Sequence, residues 1–109
     1  MSTHCIPLQV TSITNTGTIV NITINPTTLV AGQYAFLDIN GIAMAAKVTN
    51  GEFVTITNGT DTIPLGFREA IPLLSRDLFA RKRFCLKYIA SSIVGVPTST
   101  ALPAFIVID

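Results

Sequence analysis

The chain has 109 residues, a formal charge of +1, 49% hydrophobic residues and 12% charged ones, against about 25% charged in an ordinary soluble domain. That length suits one domain and leaves little room for a second core. The balance excludes a function resting on overall charge, and no apolar run approaches the ~18 residues of a membrane-crossing helix.

The first residues, Met1-Ser2-Thr3-His4-Cys5-Ile6-Pro7, lack the basic start and unbroken apolar stretch of a secretory signal, so synthesis in a cytoplasm is expected. Leu8 to Ile13 alternates in polarity and leads through Asn15-Thr16-Gly17 into Thr18 to Ile24. In the latter, Val20, Ile22 and Ile24 share one face and Ile19, Asn21 and Thr23 the other. Period-two alternation in β-branched residues predicts half-buried strands, and the pair reads as a hairpin. Asn25-Pro26 ends it.

Tyr34 to Ile39 predicts another strand, closed by Asn40-Gly41; Asn50-Gly51 and Asn58-Gly59 then bracket Phe53 to Thr57. Asn-Gly suits the positive φ angles of tight hairpin turns, and such turns at regular spacing point to a sandwich or small barrel. Ile42 to Val48 is rich in alanine, yet its length between turns favours a strand. Thr62-Ile63-Pro64-Leu65 and Ala70-Ile71-Pro72-Leu73-Leu74 each hold a proline. Proline cannot donate to a central ladder, so edges or strand starts are expected there.

Ser75 to Arg81 predicts a single helical turn capped by Ser75. Arg83 to Ile89 is the clearest amphipathic strand, with Phe84, Leu86 and Tyr88 inward and Arg83, Cys85 and Lys87 outward. Ser91 to Ala104 reads as a long connection of the sort that crosses between sheets. Phe105 to Ile108 closes the chain as a buried strand. The expected fold is all-β: a small Greek-key or jelly-roll-like sandwich of seven or eight short strands with at most one helical turn, its core including Phe36, Val54, Ile56, Phe84, Leu86 and Val107.

Chemistry-bearing motifs are sparse. The single histidine, His4, lies in a terminal segment, and a catalytic part would require the fold to bring a nucleophile and an orienting acid to it. Asp38, Glu52, Asp61, Glu69, Asp77 and Asp109 are isolated from one another. Cys5 and Cys85 have no companion at metal-ligand spacing, and both are expected as small buried or half-buried thiols. No Gly-rich phosphate loop occurs. The expectation is a protein without catalytic residues, cofactor, metal or small-molecule substrate. The sequons Asn21-Ile22-Thr23 and Asn58-Gly59-Thr60 matter only in a glycosylating pathway.

Charge is unevenly placed. Arg68, Arg76, Arg81, Lys82, Arg83 and Lys87 fall in one window with only Glu69 and Asp77 beside them. One basic side is therefore expected, with Arg76, Arg81, Lys82, Arg83 and Lys87 facing a partner. An acidic protein surface is the simpler counterpart. A nucleic-acid-binding β-barrel module using residues 68–87 is the alternative, weakened because Phe84 and Tyr88 alternate onto the core face and offer no open stacking platform. A carbohydrate-binding or adhesin module is the third reading, disfavoured by the absence of Trp.

The segment Phe53 to Leu65, with its strand ending in Asn-Gly, and the segment Leu73 to Tyr88, with its basic turn and basic-aromatic strand, together resemble small β-rich virion proteins of tailed bacteriophages, of the head-fibre and capsid-decoration type. The resemblance implies a sandwich-like fold, symmetric association as a dimer or trimer, attachment to a major capsid or other virion protein, location in the virion, and no catalysis. It transfers no individual residue. A chain this small with so little charge must leave apolar side chains outside unless neighbouring subunits cover them, which agrees with an oligomer.

Overall fold

The computed structural model describes residues 5–42, 51–59, 61–93 and 103–108. All but Ile42 of the expected Ile42 to Val48 strand and most of the Ser91 to Ala104 connection fall outside these residues, as do His4 and Asp109. The elements in chain order are β1 (Cys5–Pro7), β2 (Val10–Asn15), β3 (Ile19–Ile24), β4 (Tyr34–Asp38), β5 (Phe53–Asn58), β6 (Asp61–Arg68), β7 (Ile71–Pro72), α1 (Ser75–Arg81), β8 (Arg83–Ile89) and β9 (Ala104–Val107). The protein is all-β, with one short helix and a curled, mixed sheet. Among the described residues nine strands appear where seven or eight were expected, and of these β1, only three residues long, has no counterpart in the sequence reading.

The hydrogen-bonded path runs β1-β4-β8-β9-β6-β5-β3-β2, with β7 attached to β6. The expected β2–β3 hairpin is present, Ile13 opposite Ile22 and Thr14 opposite Asn21. So is the β5–β6 hairpin, in which Asn58 faces Asp61 and Gly59 takes φ 71°, a value that a side chain would resist. The Asn-Gly spacing did not, however, foretell the parallel pairs. β3 runs parallel to β5, β1 to β4 and β6 to β9. Parallel neighbours require a crossing connection, and the chain makes one when it leaves β3, builds β4 in the other half of the sheet, and returns with β5.

Alternation decides the core. Val20, Ile22 and Ile24 on β3, Val54 and Ile56 on β5, Ile63 and Leu65 on β6, Ala35 and Leu37 on β4, Phe84 and Leu86 on β8, and Phe105 on β9 form one buried cluster. Val54, Ile56, Phe84 and Leu86 thus lie where expected. Val107 is half-buried and packs against this cluster. Phe36 does not lie where expected: it is half-buried and no member of the cluster. For Phe36 the reason is its place in β4, where the buried Ala35 and Leu37 set the inner face and send Tyr34, Phe36 and Asp38 outward. The last strand is buried only at Ala104 and Phe105, while Ile108 is 46% exposed.

Pro64 corrects the expectation of an edge. It is buried inside β6, which has β5 on one side and β9 on the other. Counting from the Asn58–Asp61 closure, the antiparallel alternation puts Pro64 opposite Thr55 in a non-hydrogen-bonded pair, so its missing N–H costs the β5 ladder nothing. On its other side, pairing with β9 begins at Leu65. Pro72 does lie at an edge, in β7.

Gly66 is required where β7 folds over β6. A Cβ there would sit 2.9 Å from the Ile71 carbonyl oxygen and 3.0 Å from that of Arg68, with the Ile93 methyl at 3.0 Å. Ile93 and Ala104 make a second, smaller buried cluster, against which Phe53, Ile89 and Ile106 pack.

The predicted helical turn forms, but Leu74 rather than Ser75 is its N-cap. The Asp77 carboxylate accepts the Leu74 N–H at 3.3 Å, while the Ser75 hydroxyl points into the protein and donates to Glu52 at 2.7 Å. A partner supplied by tertiary structure has displaced the local cap.

Candidate functional site

Three consecutive cations, Arg81, Lys82 and Arg83, join α1 to β8, and the backbone sends them apart. Lys82 is the only described non-glycine residue with positive φ, at 68°. Its N–H donates to the Leu78 carbonyl at 2.8 Å to end the helix, and its own carbonyl accepts the Ile39 N–H at 2.9 Å. Arg81 lies over the Phe84 ring, 4.6 Å from its centroid, and Phe84 belongs to the inner layer. Arg83 lies on the opposite, outer face of β8 and reaches Asp38 across the β4–β8 pair at 3.2 Å.

The single basic side expected from sequence is therefore divided. Arg76, exposed in the first turn of α1, approaches Gly51; Arg81 and Lys82 lie at the other end of the helix. Arg83 and Lys87 belong to the outer sheet face, two strand positions either side of Cys85. Arg68 is exposed at the end of β6. A turn through a left-handed residue followed by strand alternation is the cause, and neither is visible in a count of charges.

The outer face of β4 and β8 has a composition of its own. Cross-strand pairs place Tyr34 beside Lys87, Phe36 beside Cys85 and Asp38 beside Arg83. The Lys87 ammonium stands 5.8 Å from the Tyr34 ring centroid. The β1 pairing adds Cys5 next to Tyr34 and Pro7 next to Phe36. Cys5 is exposed, against the expectation of a buried thiol, because it sits at the start of a three-residue edge strand. Cys85 is half-buried. The Arg83–Asp38 pair is open to solvent, with the arginine side chain 64% exposed, and such pairs contribute little to stability.

The outer face of the other half is different. There Asn21 is a hub: the hydroxyls of Thr55 and Thr57 donate to its Oδ1 at 2.9 and 2.8 Å, and its Nδ2 donates to Thr23 at 3.4 Å. Asn58 likewise holds Thr27, accepting its N–H and donating to its carbonyl, both at 2.8 Å. Both sequon asparagines are thus committed to internal hydrogen bonds. Among the described residues, no group of three His, Cys, Asp or Glu is placed to hold a metal ion, and no helix is long and apolar enough to cross a membrane.

The Tyr88 phenol is held above its usual value of 10.0, first by burial and second by the negative charge of Asp61. The unfolded chain, whose tyrosine ionises at the ordinary value, sheds this proton first as pH rises. The stability conferred by the neutral phenol is therefore complete below the unfolded pKa and is lost as pH climbs through the folded one. Thermal melts from about pH 9 to about pH 11 are expected to show falling stability, with a shallower fall in Tyr88→Phe. An identical slope in the variant would contradict the assignment.

Comparison with protein-family models, with curated proteins and with solved structures gives no match to the chain. The surfaces above are consequently interpreted from their own chemistry. Sequence reasoning found Arg83 and Lys87 on one strand face but missed Tyr34 and Phe36 beside them. The signal was present as alternation in Tyr34 to Asp38, but which residues faced the core depended on the β4–β8 pairing.

Proposed function

We propose that the chain is a non-enzymatic structural subunit that works by self-association and by docking on a larger protein lattice, as auxiliary virion proteins of the capsid-decoration or head-fibre type do. The observation that carries this reading is apolar surface on a chain with little charge. Val30 is 60% exposed, Ile71 50% and Ile108 46%, and only 12% of residues are charged. Exposed large apolar side chains on a chain this short of charge favour association with neighbouring copies. Arg76 in the first turn of α1, with Arg81 and Lys82 at its far end, are the cations best placed to meet an acidic partner surface, which would steer docking and set its register.

The test is the particle mass in solution across protein concentration, by light scattering or sedimentation. A dimer or trimer that dissociates on dilution, or persists throughout, is expected. A particle of one chain's mass at every concentration overturns the reading.

A further inference from the structure

The outer face of β4 and β8 combines features that the helix end lacks. Tyr34 and Phe36 are two positions apart on one strand, partly exposed and on the same face. At a strand's rise of about 3.3 Å per residue their attachment points are about 6.6 Å apart. That spacing suits two successive unstacked bases lying on adjacent rings. Lys87 stands over Tyr34 from the neighbouring strand, and Arg83 lies further along the same face. Aromatic rings in a row with cations beside them are what a single strand of nucleic acid requires: a π-surface for each base and a positive charge for the phosphates between them.

We propose that this face, centred on Tyr34, Phe36 and Lys87, binds single-stranded nucleic acid without sequence preference. Tyr34 and Phe36 carry stacked bases, Lys87 meets the intervening phosphate, and Arg83 contributes a second phosphate contact limited by its pairing with Asp38. The inference goes beyond the subunit reading and does not depend on it, since a monomer would present the same face. It also removes the main objection to nucleic-acid binding raised by the sequence. Phe84 and Tyr88 do lie on the inner side of β8, but the platform is supplied by the strand next to it.

The charge present makes the proposal quantitative. With one or two phosphates engaged, the logarithm of affinity should fall with the logarithm of salt with a slope between about −0.7 and −1.4, far shallower than for a protein held by charge alone. Duplex DNA, whose bases are not available for stacking, should bind more weakly than a single strand.

The probe is a fluorescently labelled oligothymidine of about ten nucleotides, within the site sizes of known stacking platforms, followed by anisotropy beside the matching duplex. The expected result is preference for the single strand, a shallow salt slope, and a loss of about tenfold or more in Tyr34→Ala. Tyr34→Leu, which keeps apolar bulk at the position, should lose as much, and it keeps the test valid if the alanine variant is poorly folded. Asp38→Asn should tighten binding and steepen the salt slope, because it frees Arg83 for a phosphate. Equal or tighter binding of duplex, an unchanged affinity in a folded Tyr34→Leu, or displacement of the oligonucleotide by polyglutamate as readily as by unlabelled strand would each overturn the proposal. The last outcome would assign the face to an acidic protein segment instead. Absence of binding to the oligonucleotide overturns it outright, and leaves the mass measurement for self-association unaffected.

Discussion

Truncation of Phe105 to alanine is expected to cost about 3–5 kcal/mol of folding stability, the range for a fully buried aromatic. Phe105 has no exposed surface. It occupies the seam of the sheet: β9 pairs with β8 on one side, Phe105 opposite Tyr88, and with β6 on the other, Phe105 opposite Leu65. Its ring lies tilted at 59° against Tyr88 with centroids 5.1 Å apart, a geometry that adds to the burial itself. In the described path, β9 is the link between β1-β4-β8 and β6-β5-β3-β2. A cavity here therefore loosens the junction of the two halves as well as the local packing. The midpoint of urea denaturation reads the effect, with Ile108→Ala as the comparison. Ile108 is 46% exposed, so its truncation should stay within about 0.5 kcal/mol. If the two variants cost the same, the core does not run through the seam.

The same strand illustrates what could be read in advance. Phe105 to Ile108 is plainly strand-like in sequence, as are Ile19 to Ile24 and Arg83 to Ile89, because β-branched and apolar residues at period two leave few alternatives. The hairpins at Asn15 to Ile19 and at Asn58 to Asp61 were legible for a related reason: the turn chemistry is local, carried by a residue that tolerates positive φ. What the sequence did not disclose was which strands become neighbours across long separations. The β3–β5, β1–β4 and β6–β9 pairs are parallel, and no local signal distinguishes a strand awaiting a parallel partner from one awaiting a hairpin partner.

That limitation explains the errors in the candidate surfaces. From sequence alone Phe36, a large apolar residue, reads as core, yet its burial is set by β8, forty-odd residues further along the chain. Arg81, Lys82 and Arg83 read as one patch because they are adjacent in sequence, yet a left-handed Lys82 and the pleat of β8 separate them. Both mistakes have one origin. Side-chain direction on a strand is fixed by alternation, but the absolute face is fixed only when the strand docks.

Glu52 is the strongest instance of a residue whose part is invisible locally. In sequence it follows the Asn50-Gly51 turn signal and would be taken for an exposed acid. In the structure it is 4% exposed. Its Oε1 accepts the Ser75 hydroxyl at 2.7 Å, its Oε2 accepts the Asn15 amide at 2.8 Å, and its backbone carbonyl accepts the Ser75 N–H at 2.9 Å. One side chain thus ties the end of β2 and the start of α1 to the entrance of β5. Glu52→Ala is expected to destabilise by about 2–4 kcal/mol, because the Ser75 hydroxyl, wholly shielded from solvent, loses its acceptor as the Asn15 amide loses one of its own. Glu52→Gln should cost less, since its remaining oxygen can serve one of the two donors while its amide opposes the other. Coupling separates this account from simple loss of volume. If Ser75 and Glu52 act through their hydrogen bond, Ser75→Ala and Glu52→Ala combined should cost less than the sum of the two alone. Strict additivity, or a Glu52→Ala variant within about 0.5 kcal/mol of the parent in urea denaturation, would mean that the clamp contributes nothing to holding the helix on the sheet.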